Sequence, residues 1–230
     1  ANFEFHLIYH DLHNFCALDL SAFYLDILKD RLYTSAPASP VRRGAQTVIH
    51  IVLDTLARLM APILAFTAEE VWQYMPARPD KPASVHAAAM PTVRAEWQDE
   101  ALADKWRHLL AVRGEVTKAL EAARTGKLIG HPLDAAVTLS LPSPYAEILS
   151  AYQDSLDKLF IVSRVELVGS AESLTDAYHS TEIEGLAIAV AKAPGAKCER
   201  CWMHATTVGD QDAHPTVCAR CCRELAALAL

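Results

Sequence analysis

Two Cys-x-x-Cys pairs, Cys198-Glu-Arg-Cys201 and Cys218-Ala-Arg-Cys221, stand sixteen residues apart in this 230-residue chain. At that spacing four thiolates can converge tetrahedrally on one Zn²⁺. A redox dithiol would need a single such pair beside a βαβ pattern. Four thiolates close the coordination sphere and leave no position for water, so the zinc is expected to be structural, one ion, and not catalytic. Such a site supplies on the order of 10 kcal/mol of apparent binding free energy. That shapes a segment too short to build a core of its own. Cys222 could stand in for Cys221, and His204 and His214 lie in the intervening loop as weaker ligands.

The residues around the knuckles allow two readings. Lys197, Arg200, Arg220 and Arg223 can offset the charge of four thiolates, or some of them can face phosphates and bases. Trp202, directly after the second cysteine, is either packed beneath the metal loop or held out as a stacking platform for an unpaired base. Elsewhere the chemistry thins out. His6, His10 and His13 share a helix face but lack the Glu of an H-E-x-x-H motif. Lys29, Arg31, Arg42 and Arg43 gather at a helix end and the next helix start, where they can touch phosphates or simply be solvated. Cys16 sits among apolar neighbours as inert core. There is no phosphate-binding glycine loop and no nucleophile–base pair, so no catalytic residue is assigned.

The elements that must carry these residues differ along the chain. Up to about residue 130 the pattern is helical. Phe5, Ile8, Leu12 and Phe15 make one stripe. Ser21 is placed to cap a second helix bearing Tyr24, Ile27, Leu28 and Leu32. The segment 35–40 is a proline-marked loop. Ile49, Leu53, Leu56 and Met60, widened by Val48, Val52 and Leu59, suggest a helix buried on more than one side and stopped at Pro62. Thr67 with Glu70 reads as a capping box for a helix containing Val71 and Trp72. Four prolines mark 76–95 as a long connection. A long amphipathic helix from about Gln98 to Thr125 follows, ended by Gly126 and Gly130. Beyond His131-Pro132, three β-branched runs at 135–141, 160–165 and 186–190 suit strands, with a helix over 145–159. The fold class is therefore mainly α: a helix bundle over 1–130, a small α/β (α+β) junction over 131–191 and a four-cysteine zinc knuckle over 192–230.

The charge follows the same divisions. The chain carries 21 Lys/Arg and 28 Asp/Glu, a net −7, which taken whole argues against a nucleic-acid binder. By segment, the two flanks are near neutral and all the acidity lies in 131–191. Those residues are expected to face away from any phosphates, and binding is expected to be weak and salt-sensitive. The apolar fraction of 52% is that of an ordinary folded protein. No apolar run reaches the ~20 residues of a membrane span, and no signal peptide is recognisable. The first residue is Ala, so a piece of a longer protein is expected.

Several stretches resemble successive segments of the bacterial isoleucyl-tRNA synthetase family. They are F-x-x-x-D-L-S-A-F-Y-L-D-I-L-K-D-R-L-Y (15–33), R-R-G-A-Q-T (42–47), M-A-P-I-L-A-F-T-A-E-E-V-W (60–72) and V-R-G-E-V-T-K-A-L-E-A-A-R (112–124). C-E-R-C-W…C-A-R-C resembles that family's terminal zinc knuckle. The similarity runs in order from about Phe3 to about Leu225, and the Trp-bearing zinc tail separates it from the valyl and leucyl relatives.

The resemblance implies an anticodon-binding helix bundle (1–130), a junction domain (131–191) and a zinc domain (192–230) that clamps the anticodon loop of isoleucine tRNA. It implies zinc ligation by Cys198, Cys201, Cys218 and Cys221. Arg200 and Trp202 would face the bases, with Lys197, Arg220, Arg42 and Arg43 as further tRNA contacts. The His-Ile-Gly-His and Lys-Met-Ser-Lys-Ser signatures and the editing domain are absent, so this portion alone is expected to be inactive; ATP belongs to the parent catalytic domain. The expected partners are isoleucine tRNA and the remainder of the synthetase, in a cytoplasmic monomer. Two other classes share features: the terminal zinc finger of a DNA-repair glycosylase, and a zinc-stapled protein-interaction module.

Overall fold

The structure, a computed structural model, describes residues 4–228; Phe3, where the resemblance begins, lies outside them. The chain forms two compact units, Ala1–Gln98 and Asp99–Leu230.

In the first unit, α1 (Phe5–Asn14), a π-helical stretch (Phe15–Leu25) and α2 (Asp26–Thr34) run on without a break. This corrects the expectation that Ser21 caps a separate helix. No glycine or proline lies between Phe5 and Thr34, so nothing forces the backbone out of the helical region, and a serine is tolerated inside a helix at small cost. The stripe of Phe5, Ile8 and Phe15 is exposed and buries nothing within the unit. The helix ends where Ser35 turns extended, and Pro40 opens α3 (Pro40–Met60) from a position that needs no N–H.

α3 buries Ala45, Asp54, Leu56 and Ala57, which spread over about half of its circumference, while Val48, Leu53 and Leu59, expected to widen its apolar face, are exposed. A tight turn at Pro62 then leads into α4 (Ala65–Tyr74), which starts two residues before Thr67, with Leu64 at the N-cap and no side-chain cap. The Thr67–Glu70 capping box is therefore not formed. The turn closes instead through the Ile63 and Leu64 N–H groups on the Met60 carbonyl, and α4 continues directly from it.

The core of this unit packs Ala57, Ala61, Ala68, Trp72, Met75 and Val85. The long connection is tied to it by polar contacts. Trp72 Nε1 donates to the Pro82 carbonyl (2.9 Å). Lys81 Nζ donates to the carbonyls of Trp72 (2.6 Å) and Met75 (2.8 Å) at the end of α4. Glu69 accepts from Ser84 Oγ and the Val85 N–H, which holds its carboxyl below the usual range together with the Gln73 amide, the largest contributor.

The second unit is built on α5 (Glu100–Thr125), opened by Asp99, whose carboxylate accepts the Leu102 N–H (2.9 Å). Its buried face is Leu109, Val112, Glu115, Val116, Ala119 and Leu120. Beside it lies a four-stranded sheet of β1 (Ala135–Ser140), β2 (Arg164–Val168), β3 (Tyr178–His179) and β4 (Ala187–Lys192), in the order β2-β1-β4-β3. β1 pairs parallel with β2 (Val137 opposite Val165) and antiparallel with β4 (Val137 opposite Val190).

Two sequence expectations shift here. The helix expected over 145–159 divides into α6 (Tyr145–Ser150), a 3₁₀ turn (Gln153–Ser155) and α7 (Leu156–Phe160). The second strand begins at Arg164 and not at Phe160, because Leu159 and Phe160 are buried as part of α7 and Ile161, at φ 57°, ends that helix. Glu115, only 3% exposed, accepts the Tyr178 hydroxyl (3.0 Å) and the Lys118 ammonium (2.6 Å), joining α5 to β3.

Candidate metal centre and nucleic-acid interface

The second unit ends in a small two-stranded ribbon and a helix that bring the cysteines together. β5 (Ala196–Lys197) pairs antiparallel with β6 (His204–Ala205). The turn between them is closed by the Cys198 N–H on the Met203 carbonyl (2.9 Å) and the Trp202 N–H on the Cys198 carbonyl (2.8 Å). Gly195 makes the ribbon possible. At φ 89° a Cβ there would stand 2.3 Å from the carbonyl carbon and oxygen of Ala205. The second knuckle opens α8 (Ala219–Ala226), with Cys218 at its N-cap and Cys221 in its first turn. The Cys218 N–H donates to Cys198 Sγ (3.3 Å).

The four Sγ atoms of Cys198, Cys201, Cys218 and Cys221 lie within 4.8 Å of one another. A tetrahedral ZnS₄ site with bonds of about 2.3 Å has sulfur–sulfur edges of about 3.8 Å; Cys201 and Cys218 stand at 3.9 Å. The donor chemistry also fits. Burial pushes the Cys198 thiol up, but the N–H groups of Cys201, Cys218 and Arg200 outweigh it and bring the group down to about 6. Cys201 and Cys221 are pushed up, first by burial and then by the neighbouring sulfurs. Four sulfurs this close cannot all carry charge without a cation among them, and Zn²⁺ removes that conflict by deprotonating its ligands. The site is closed and structural.

The alternative ligands point elsewhere. Cys222 Sγ faces the Val217 carbonyl (3.9 Å). His204 Nδ1 lies 3.2 Å from the Gly195 carbonyl and its Nε2 lies 3.5 Å from Asp134. His214 is exposed in the loop, outside the sulfur cluster.

The two readings of the basic residues also separate. A side-chain hydrogen bond from Arg200 bears on Cys221, and one from Arg220 bears on Cys201. Arg220 also reaches Met203 Sδ (3.7 Å). Both guanidiniums are thus arranged to offset thiolate charge. Lys197 and Arg223 are exposed. Trp202 is not packed beneath the loop: the residue is 61% exposed and its backbone is held at φ 63°. A bulky residue in the left-handed region is an outlier, and a large apolar ring in water next to it is a second oddity. The Trp202 N–H on the Cys198 carbonyl makes that backbone part of the knuckle turn, and the ring stands out from it.

Sequence reasoning missed the clasp that seats the ribbon on the sheet. The His204 N–H donates to Ser163 Oγ (2.7 Å), and Ser163 Oγ in turn donates to the Leu133 carbonyl. Asp134 accepts the N–H groups of His131 (2.8 Å) and Gly130 (3.1 Å). No motif signals a single serine or aspartate of this kind. In the first unit, Arg42 folds back onto the Ser35 carbonyl (3.2 Å), and Arg43 is exposed on the first turn of α3. His6, His10 and His13 are exposed on α1 and gather no metal-like cluster. Cys16 is only half-buried.

Residues 1–139 match the family described as the anticodon-binding domain of tRNA ligase, and residues 195–222 match the zinc finger found in FPG and IleRS. The chain therefore belongs to the tRNA-ligase anticodon-binding family. It is similar to the isoleucine–tRNA ligases of Geobacter sulfurreducens (50% identical over 219 residues, 95% of this chain and 23% of that protein) and Desulforamulus reducens (50% over 220 residues, 96% and 24%). That of Moorella thermoacetica is 48% identical over 221 residues, 96% of this chain and 24% of that protein. The chain spans about a quarter of the length of these curated relatives. The resemblance read from the sequence is thereby borne out, as are the mainly helical fold class and the four-cysteine zinc finger.

Proposed function

We propose that this chain is the tRNA-recognition portion of an isoleucine–tRNA ligase. It binds the anticodon stem-loop of isoleucine tRNA, so that a class I catalytic domain elsewhere in the whole protein can attach isoleucine using ATP. The observation that carries the reading is Trp202: an exposed indole on a strained backbone, mounted on a zinc knuckle, in a chain belonging to an anticodon-binding family. A zinc-braced ring is rigid before the RNA arrives, so little ordering entropy opposes the stack. Residues 1–130 hold the stem by shape and phosphate contacts, with Arg42 and Arg43 among the contacting groups. Residues 131–191 serve as the junction. Residues 192–230 read splayed loop bases through Trp202, with Lys197 contributing positive charge, while Arg200 and Arg220, engaged with the knuckle sulfurs, brace the surface that faces the bases. The chain has no chemistry of its own: lost contacts lower the productive fraction of complexes at a distant active site. The setting is a cytoplasmic monomer. No helix among the described residues is long and apolar enough to cross a membrane.

A titration by fluorescence anisotropy tests this. The zinc-loaded chain is expected to bind isoleucine tRNA more tightly than methionine tRNA, and both more tightly than duplex DNA. A preference for duplex DNA would favour the glycosylase-type finger, whose family shares the zinc match. Absence of binding to all three would leave a zinc-stapled protein-interaction module.

A further inference from the structure

An open cleft of about 830 Å³ lies in the second unit, between the end of α5, the start of the sheet and the zinc ribbon. Its rim carries Arg124 and Lys127 from the α5 terminus, Lys192 from the end of β4 and His204 from β6, with Asp134 and the backbone of Gly130 between them. Among the described residues, Asp134 is the only acidic one lining the cleft, although nine Asp/Glu lie in 131–191. Its two oxygens are already engaged, one by the N–H groups of Gly130 and His131 and the other by His204. Those contacts, the His131 N–H foremost, hold its carboxyl below the ordinary range. The cleft therefore gathers cations from separate elements around one carboxylate that is internally satisfied.

Lys127 is the second clue. It sits at φ 59° immediately after the α5 C-cap, the position where helices ordinarily place glycine. A glycine is present one residue earlier, at Gly126, in a conformation that any residue adopts. The chain thus spends its left-handed residue on a lysine, and side chains kept at such a cost tend to serve a function. Gly126, Lys127 and Leu128 donate their N–H groups to the last carbonyls of α5 (2.9, 3.0 and 2.9 Å), so the negative end of that helix is capped. Lys192 is exposed at the end of β4, and neither lysine ammonium has a side-chain partner among the described residues.

We propose that this cleft seats the phosphodiester backbone of the bound RNA, with Lys127 and Lys192 as its two principal phosphate contacts. The proposal rests on the reading of this chain as an anticodon-binding module and extends it to a surface outside the zinc knuckle. An RNA strand suits the cleft better than a free anion does, because the cations come from separate elements and can meet successive phosphates.

The test is an anisotropy titration of the zinc-loaded chain with the anticodon stem-loop RNA of isoleucine tRNA at several KCl concentrations. It compares the wild type, Lys127→Gln/Lys192→Gln and Lys127→Arg/Lys192→Arg. With a salt slope of about −0.7 per contacted phosphate of a single strand, losing two contacts flattens the slope by about 1.4 and weakens binding at 0.1 M salt about 25-fold. The arginine pair is expected to restore both. Zinc content and far-UV circular dichroism report the fold. Should the double variant not fold, Lys192→Gln alone, at an exposed strand end, is expected to flatten the slope by about 0.7. Wild-type binding with unchanged affinity and slope in the glutamine variants would overturn the cleft and leave the anticodon reading standing. A wild type that does not bind this RNA would overturn both.

Discussion

Replacing Trp202 with glycine separates what the knuckle needs from what the RNA needs. Trp202 is 61% exposed, so removing its indole gives up little packing, while its φ of 63° is a conformation glycine adopts freely. Relief of the left-handed backbone is worth about 1–2 kcal/mol, partly offset by the freedom glycine returns to the unfolded chain. The net effect on zinc affinity is expected to stay within about fivefold, with tighter binding favoured. The loss on the RNA side is larger: a stacked base is worth about 1–3 kcal/mol, or about 5- to 150-fold in Kd. Trp202→Gly should therefore hold zinc normally in a chelator competition and bind isoleucine tRNA 5- to 150-fold more weakly by filter retention. Trp202→Phe, which keeps a π-face, should recover most of the loss. If the glycine variant binds tRNA as the wild type does, Trp202 stacks on nothing and the reasoning from exposure and strain is wrong. If it loses zinc, the ring is structural after all.

Three further perturbations probe the fold that holds this residue. Cys218→Ser removes both a zinc ligand and the sulfur at the α8 N-cap, so native mass spectrometry should show metal loss and limited proteolysis should open the chain beyond Gly195. Gly195→Ala places a methyl 2.3 Å from the Ala205 carbonyl; the ribbon must shift, and zinc should compete at least tenfold less well against a chelator, whereas an unchanged affinity would contradict the geometry. Glu115 is held below the ordinary glutamate pKa: burial pushes it up, but the Lys118, Ser180 and Tyr178 donors outweigh that. Its contribution to stability is therefore present above the unfolded value of about 4.3 and is lost as pH falls through the folded one. Glu115→Ala should lower stability at neutral pH by removing the carboxylate that accepts from Lys118 and ties α5 to Tyr178. Thermal melts between pH 3 and pH 6 should show a flatter acid limb for the variant than for the wild type.

The zinc centre was legible in the sequence because Cys-x-x-Cys spacing is local: each knuckle is fixed by one turn, and only their meeting is tertiary. The long α5 and the central strands β1 and β4 were legible through periodicity and β-branched runs. What failed was local capping logic. Ser21 and Thr67 have the chemistry of N-caps, but an uninterrupted helical run and a proline turn decided where those helices begin. Phe160 looked like strand because β-branched neighbours follow it, yet its burial belongs to α7. The wide apolar face of α3 was legible as a pattern, but Val48, Leu53 and Leu59 are not covered within their unit. Arg200 and Arg220 could not be oriented from sequence, since a cation beside a metal site suits thiolates and phosphates equally. The Ser163 and Asp134 clasp had no signal at all. Net charge misled until it was divided, and the structure sharpens that division. Among the described residues of the acidic junction, Asp134, itself internally satisfied, is the one acidic side chain lining the basic cleft.

The central claim is that this chain recognises the anticodon stem-loop of isoleucine tRNA. Nuclease footprinting of end-labelled, full-length isoleucine tRNA with the zinc-loaded chain tests it most directly. Protection confined to the anticodon stem and loop, lost when zinc is stripped, is the expected result. Protection of the acceptor stem with an open anticodon loop, or an unprotected tRNA at saturating chain, would contradict it.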